Sequence, residues 1–404
     1  MFSTLSGNNE KIIVDAKEET EEVIVAKGGK KVVRKILLIV LGITALSIAL
    51  LWYRLRMDVG RSIDGTIIYL ETSDNRSFAI TEDNTLWAWG GVRGNIGWPL
   101  IEGKNSSRRP VSIMEDVIAV SSSGHTMVIT SDGTLWGWGA DSWGQLGGGI
   151  TRPRGILEPT AIKESVVAVS TGGFHTVAIT EDGTLWAWGR NQHGQLGDGT
   201  EEDQLTPIPI KEDVIMVSAG SDHTVAITED GILWTWGRNR NGQLGDGTTE
   251  SSLIPMQIMD DVVTASAGMS YTMAIDKEGI LWAWGGGLHS KLGDGTGYDH
   301  LIPIPIMDNI SNVSAELAHT MAIDNEGVLW AWGRNTGGRL GIGSNEDEYP
   351  TPNRVKDNIV AVSVGVNHTI AVDEDGVLWA WGYNYFGQIG DGSRRNRHSP
   401  VRVR

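Results

Sequence analysis

The sequence predicts an all-β, seven-bladed β-propeller of about 49-residue repeats, preceded by a single N-terminal transmembrane helix. Three observations lead there. A Trp-x-Trp-Gly motif returns every 48 to 50 residues, each interval reads as short strands separated by turns, and an uncharged apolar run lies near the N-terminus.

The repeat comes first. The second Trp of each motif falls at Trp89, Trp138, Trp188, Trp236, Trp284, Trp332 and Trp381, with steps of 49, 50, 48, 48, 48 and 49. A Pro-x-x-Ile/Val marker keeps the same step from Pro110 to Pro400. Such a period signals a solenoid, a propeller or an array. Within a unit, VIMVSAGSDHTVAITEDGILWTWG (214–237) has β-branched and aromatic runs broken by Gly and Asp, without helical spacing. An acidic residue followed by Gly133, Gly183, Gly231, Gly279, Gly327 or Gly376 marks a hairpin needing positive φ, and Asn84 takes that place in the first unit. Four short strands per unit, seven times over, read as propeller blades. The chain stops just after its seventh Pro-x-x-Val, and the Val-rich strand that follows this marker elsewhere is found as TIIYLET (66–72). That phase predicts an N-terminal strand completing the last blade and clasping the ring.

Before the repeat, ILLIVLGITALSIALLWY (36–53) is eighteen residues without a charge. As a helix it would span about 27 Å, close to the hydrocarbon thickness of a bilayer. Lys27, Lys30, Lys31, Arg34 and Lys35 precede it, against Arg54, Arg56 and Arg61 after it, which places the N-terminus in the cytoplasm and the propeller outside. A cleaved signal peptide is the rival reading, but no small-x-small site follows the apolar run. The expected organisation is a polar tail (1–35), a transmembrane helix (36–53), a linker (54–63) and a propeller (64–404), a single-pass protein of the cell membrane.

Composition removes several function classes. With no Cys among 404 residues, disulfides, thiolate metal sites and cysteine nucleophiles are excluded. Residues 1–61 carry ten Lys/Arg against seven Asp/Glu, a charge of +3, so the remainder holds −20 of the total −17. Nucleic-acid binding rests on cationic contacts and is not expected of so acidic a body.

Gly-x-x-His-Thr-x-Ala-Ile-Thr, then Asp-Gly-x-Leu-Trp-x-Trp-Gly, then Gly-Gln-Leu-Gly-Asp-Gly-Thr recur in fixed order, and residues 64–404 resemble the regulator of chromosome condensation repeat family. The resemblance implies a seven-bladed propeller that binds proteins. Its founder exchanges nucleotide on a small GTPase and binds chromatin, and a bacterial relative covers β-lactamases with one propeller face. Exchange is the weaker transfer, because the even step leaves no room for a projecting wedge. Departures fall at Arg76 and Tyr271, which replace the His, and in GNIGW, GQLGGG, SKLGDG and GRLGIG.

His125, His175, His223, His319 and His368 share one phase. Catalysis needs one asymmetric site, so a residue repeated five times reads as scaffold, an imidazole bonded to a neighbouring backbone group. The acidic turn 373–376 lacks the alternating ligands of a calcium loop, and Asp198, Asp246, Asp294 and Asp391 read as turn caps. No nucleophilic triad, phosphate loop or metal-ligand spacing stands out. The expectation is a non-enzyme without cofactor or metal.

Function should then sit where the units disagree. The loop after Trp-x-Trp-Gly changes its last two positions in every unit, and these supply Trp143, His193, Arg240, His289, Tyr385 and Phe386 as candidate partner-binding residues forming a ring on one face. Tyr, Trp and Arg are common interface anchors. A second variable phase includes Trp98, Tyr298 and the cluster Arg394, Arg395, Arg397. The expected partner is a protein. Cell-wall or surface glycan is the alternative, with aromatic residues stacking on sugar rings.

Overall fold

The computed structural model describes residues 11–12, 23–24, 63, 65–91 and 106–403, in two units divided between Met57 and Asp58. In the first unit, Lys11–Ile12 pairs antiparallel with Val23–Ile24. The expected transmembrane helix at 36–53 lies outside the described residues. Among those described, no helix is long and apolar enough to cross a membrane.

The second unit contains seven four-stranded antiparallel sheets. The third blade is representative: an inner strand Val166–Thr171, a second strand His175–Thr180, a third strand Leu185–Gly189 and an outer strand Gln204–Lys211. HTVAIT is buried along its whole length because neighbouring blades cover both of its faces. In LWAWG, Trp186 and Trp188 are two residues apart and share the face packed on the preceding blade, Trp188 fully buried and Trp186 half-buried, while Ala187 points to the other side. The prolines sit in the outer strand, where an edge leaves the missing N–H without a ladder partner to disappoint. Gly183 turns the hairpin at φ 77°, and Asn84 takes φ 61° in the first blade as the sequence requires.

The clasp is not formed. Ile67–Thr72 pairs with Arg76–Thr81 inside the first blade, and the last blade has its own outer strand, Arg397–Arg402, on Leu378–Gly382. Each blade runs from a Val-rich inner strand to a Pro-marked outer strand, so the propeller's first and last strands meet at a boundary between blades. The ring closes by packing instead. Trp87 and Trp89 of the first blade share a core with Ile370, Val372, Leu378 and Ile389 of the last, and Ile63 packs beside them.

Strand direction gives the ring two distinct faces. Loops joining inner to second strands and third to outer strands emerge at one end, the loop face. The Asp-Gly turns and the links between blades emerge at the other, the turn face. The inner strands line a central channel enclosing about 670 Å³.

Candidate functional site

The repeating polar residues are consumed by the scaffold. His and Thr are neighbours in HTVAIT and so point to opposite sides of the strand. Each His therefore meets the Thr of the next blade rather than its own, correcting the expected backbone bond: His125 Nε2 lies 2.6 Å from Thr176 Oγ1, His175 3.0 Å from Thr224 and His223 3.2 Å from Thr272. His368 closes the circle on Ser77 at 2.8 Å. The departures serve the same bond, since Arg76 donates to Thr126 and Tyr271 pairs with Thr320. Burial pushes His125, His223 and His368 down to about 3 and His175 to about 4, and holds His319 well below its ordinary value, so these rings are neutral.

The Gly-Gln-Leu-Gly segment is a clamp between blades. The Gln195 carbonyl accepts bonds from Trp236 Nε1 at 3.0 Å and Thr224 Oγ1 at 2.8 Å, both in the following blade. Gly197, at φ +82°, lets the backbone approach that indole so closely that a Cβ would lie 2.7 Å from Nε1. Lys291 and Arg339 take the Gln position in two blades and keep both carbonyl bonds. Their side chains are buried against Ser270 and against Val366 and Asn367. Asn191 holds the loop itself, accepting from the Leu196 amide at 3.0 Å and donating to Asp198 at 2.9 Å. Asp198 and Asp391 cap the amides of Thr200 and Ser393, as expected of turn residues.

The six candidates all lie on the loop face, but the two variable positions differ. The first is the exposed tip: Arg240 is exposed and Tyr385 is 57% exposed. The second is half-buried, and its amide is tied to the Gln side chain in Trp143, His193 and Phe386. In Trp143, His289 and Phe386 the side chain reaches toward the next blade. His289, at φ 67°, brings Nδ1 3.7 Å from Glu348. Trp143 lies 5.0 Å from the Arg190 guanidinium, which also sits 5.5 Å over Phe174. Arg190 approaches Asp222 at 3.9 Å, and Arg238 donates to the same carboxylate at 3.1 Å. Tyr385 stacks with Tyr383 at 6.5 Å between centroids and meets Phe386 edge-on at 5.1 Å.

The structure thus assembles two clusters, Trp143–Phe174–Arg190 and Tyr383–Tyr385–Phe386, and leaves Arg240 at an exposed tip of its own. Phe174 and Met269, 40% and 48% exposed around the channel mouth, were not singled out from sequence. They lie in the loop between the inner and second strands, Phe174 just before His175 and Met269 two residues before Tyr271. Tyr298 is 77% exposed, whereas Arg397 is bound to Asp391 and is not a free basic residue. Trp98 lies outside the described residues. Glu71 and Glu316 face the channel, and burial raises both to about 8. No metal-binding group of His, Asp and Glu occurs among the described residues.

Seven clamped sheets around a polar channel, with variable loops confined to one end, define a repeat-built β-propeller whose scaffold and surface are separate sets of residues. The RCC1-like domain family model matches residues 55–307 and 211–404, and the chain belongs to that family. Human WBSCR16 has a similar fold at 21% identity and a TM-score of 0.70, covering 82% of this chain and 94% of that one. Yeast RCC1 (Prp20), solved bound to Kap60, is 19% identical with a TM-score of 0.70 and coverages of 86% and 89%. Prp20p from Saccharomyces cerevisiae, described with its binding properties to Gsp1p and histones, is 20% identical with a TM-score of 0.68, covering 83% of this chain and 87% of that one. A comparison with curated proteins finds no match.

Proposed function

We propose that this propeller is a membrane-anchored, outward-facing interaction scaffold that binds a protein partner through its loop face and carries out no chemistry of its own. The observation that carries the reading is the division of labour just described. Recurring polar groups are spent on bonds between blades, while aromatic and arginine side chains gather at the non-repeating positions of one end. Phe174, Met269, Leu288 and Tyr385, each at least 40% exposed, give that end the anchors that protein interfaces favour. Ile63 enters the propeller beside Leu378 and Val403 at the turn face. Kap60, Gsp1p and histones, with which yeast Prp20 is described, are proteins, which agrees with this class of activity.

The test is affinity capture from the surface fraction of the source cell, comparing the native chain with a Phe174→Ala, Tyr385→Ala double variant. Loss of a specific protein from the variant, with unchanged thermal unfolding, supports the reading. Equal capture by both sinks it. The exposed rings of Tyr298 and Tyr385 keep glycan as a second reading, and a glycan array probed with the same pair of proteins separates the two. Protease accessibility of the propeller in intact cells tests the orientation, and full protection would move it to the cytoplasm and revive nucleotide exchange.

A further inference from the structure

The turn face carries a feature that the loop-face reading does not use. In every blade the pairing of inner and second strands slips after its first residue, as where Val166 opposes Thr180 and Ala168 opposes Ile179. The extra residue is a β-bulge, a device that re-aims a side chain. It is Ile68, Ile118, Val167, Ile215, Val263 or Val360, each between 40% and 58% exposed. The residue before it is buried in the core in most blades, as with Val117, Val166 and Val214 at 0 to 1%. Only the bulged residue turns out. The fold does not require it to be apolar, since Ser311 holds the place in the sixth blade. These six residues share one position, at the turn-face end of the inner strands that line the channel. An apolar surface of this kind, ringed by polar groups, marks an interaction site.

Charge decides what fits. The hairpin turns and blade links around the ring present exposed carboxylates in pairs, among them Glu181 with Asp182, Glu212 with Asp213 and Glu229 with Asp230. Lys277 on the same face is tied to Asp261 at 2.6 Å. A second copy of this face would set like charge against like, and an anionic bilayer would be repelled. We infer that the turn face docks a cationic amphipathic segment of a partner protein, its apolar side chains seated on the Ile/Val ring and its Lys or Arg side chains on the acidic rim. This stands independently of the loop-face reading.

The experiment uses the full chain and two synthetic peptides, one alternating Leu and Lys and one alternating Ser and Lys, titrated by fluorescence anisotropy at near-physiological salt. The Leu/Lys peptide is expected to bind about tenfold more tightly, the gain from burying a few apolar side chains. The variant Ile118→Ser, Ile215→Ser, Val360→Ser should lose that gain while its affinity for the Ser/Lys peptide stays the same. Ser311 shows that the position accepts serine, and an unchanged thermal unfolding curve confirms the fold. Equal binding of the two peptides, or a Leu/Lys affinity untouched in the variant, overturns the proposal. So does tighter binding of the native chain than of the variant to neutral phosphatidylcholine vesicles, which would make the ring a membrane contact.

Discussion

Lowering the pH from 7.5 to 5 should strongly destabilise this propeller from within, through the five histidines that join its blades. Their folded-state values lie far below 6.5 because burial disfavours the charged ring. The unfolded chain therefore takes up protons that the folded chain refuses. Stability is intact above pH 6.5 and is lost as the pH falls toward 4. Each ring costs about 1.4 kcal/mol per pH unit over that window. Glu71 and Glu316 work in the opposite sense. With folded values near 8 against 4.5 unfolded, they lend stability below 4.5 and lose it as the pH rises through 8. Being partly open to the channel, they offset at most two of the five protons. The net uptake on unfolding is three to five protons, about 4 to 7 kcal/mol for each pH unit below 6.5. A domain stable by about 5 to 15 kcal/mol cannot withstand more than one to three such units. Urea unfolding followed by tryptophan fluorescence at half-unit pH steps measures the slope. His223→Tyr sharpens the test, because Tyr271 already makes the same bond one blade on and both rings lie over a glycine, Gly220 and Gly268. That variant should fold and take up one proton fewer. Stability that stays flat between pH 6.5 and 5, or an unchanged slope in the variant, would refute the reasoning.

Other substitutions probe the clamp and the links. Gly197→Ala combines positive φ with a Cβ 2.7 Å from Trp236 Nε1, and should lower stability by about 2 to 4 kcal/mol in the same urea assay. Thr176→Val removes the hydroxyl that bonds both His125 and the Gln145 carbonyl, and should cost about 1 to 3 kcal/mol. Ser165 holds φ 59° where other blades place Asp or Asn, so Ser165→Asn should raise the unfolding midpoint, by about 0.5 kcal/mol in stability.

The blades were legible because their signals are local and repeated. Trp-x-Trp-Gly sets two indoles on one face of the third strand, against the preceding blade, and Asp-Gly, or Asn84, fixes the turn. The point at which one blade ends and the next begins is a different matter, since a periodic sequence can be cut at any phase. TIIYLET looked like a strand missing from the far end, yet it pairs with its own neighbour, Arg76–Thr81. The histidine partner was within reach of sequence reasoning. His-Thr is a two-sided connector once adjacent residues are allowed to face opposite blades, and Arg76-Ser77 and Tyr271-Thr272 follow the same rule. At the loop tips, sequence showed which positions vary but not which way they point. Trp143, His289 and Phe386 share the outermost part of the loop with exposed Arg240 and Tyr385, yet turn toward the following blade. Arg190 and Phe174 complete the Trp143 cluster from segments that read as motif.

The loop face as the partner's seat is the central claim about this propeller. Photocross-linking in the source cell from a benzoylphenylalanine placed singly at Tyr385, at Met269 and at Thr160 on an outer strand tests this directly. The same protein should be cross-linked from Tyr385 and Met269, and not from Thr160. Adducts from Thr160 alone, with none from the two loop-face positions, would contradict it.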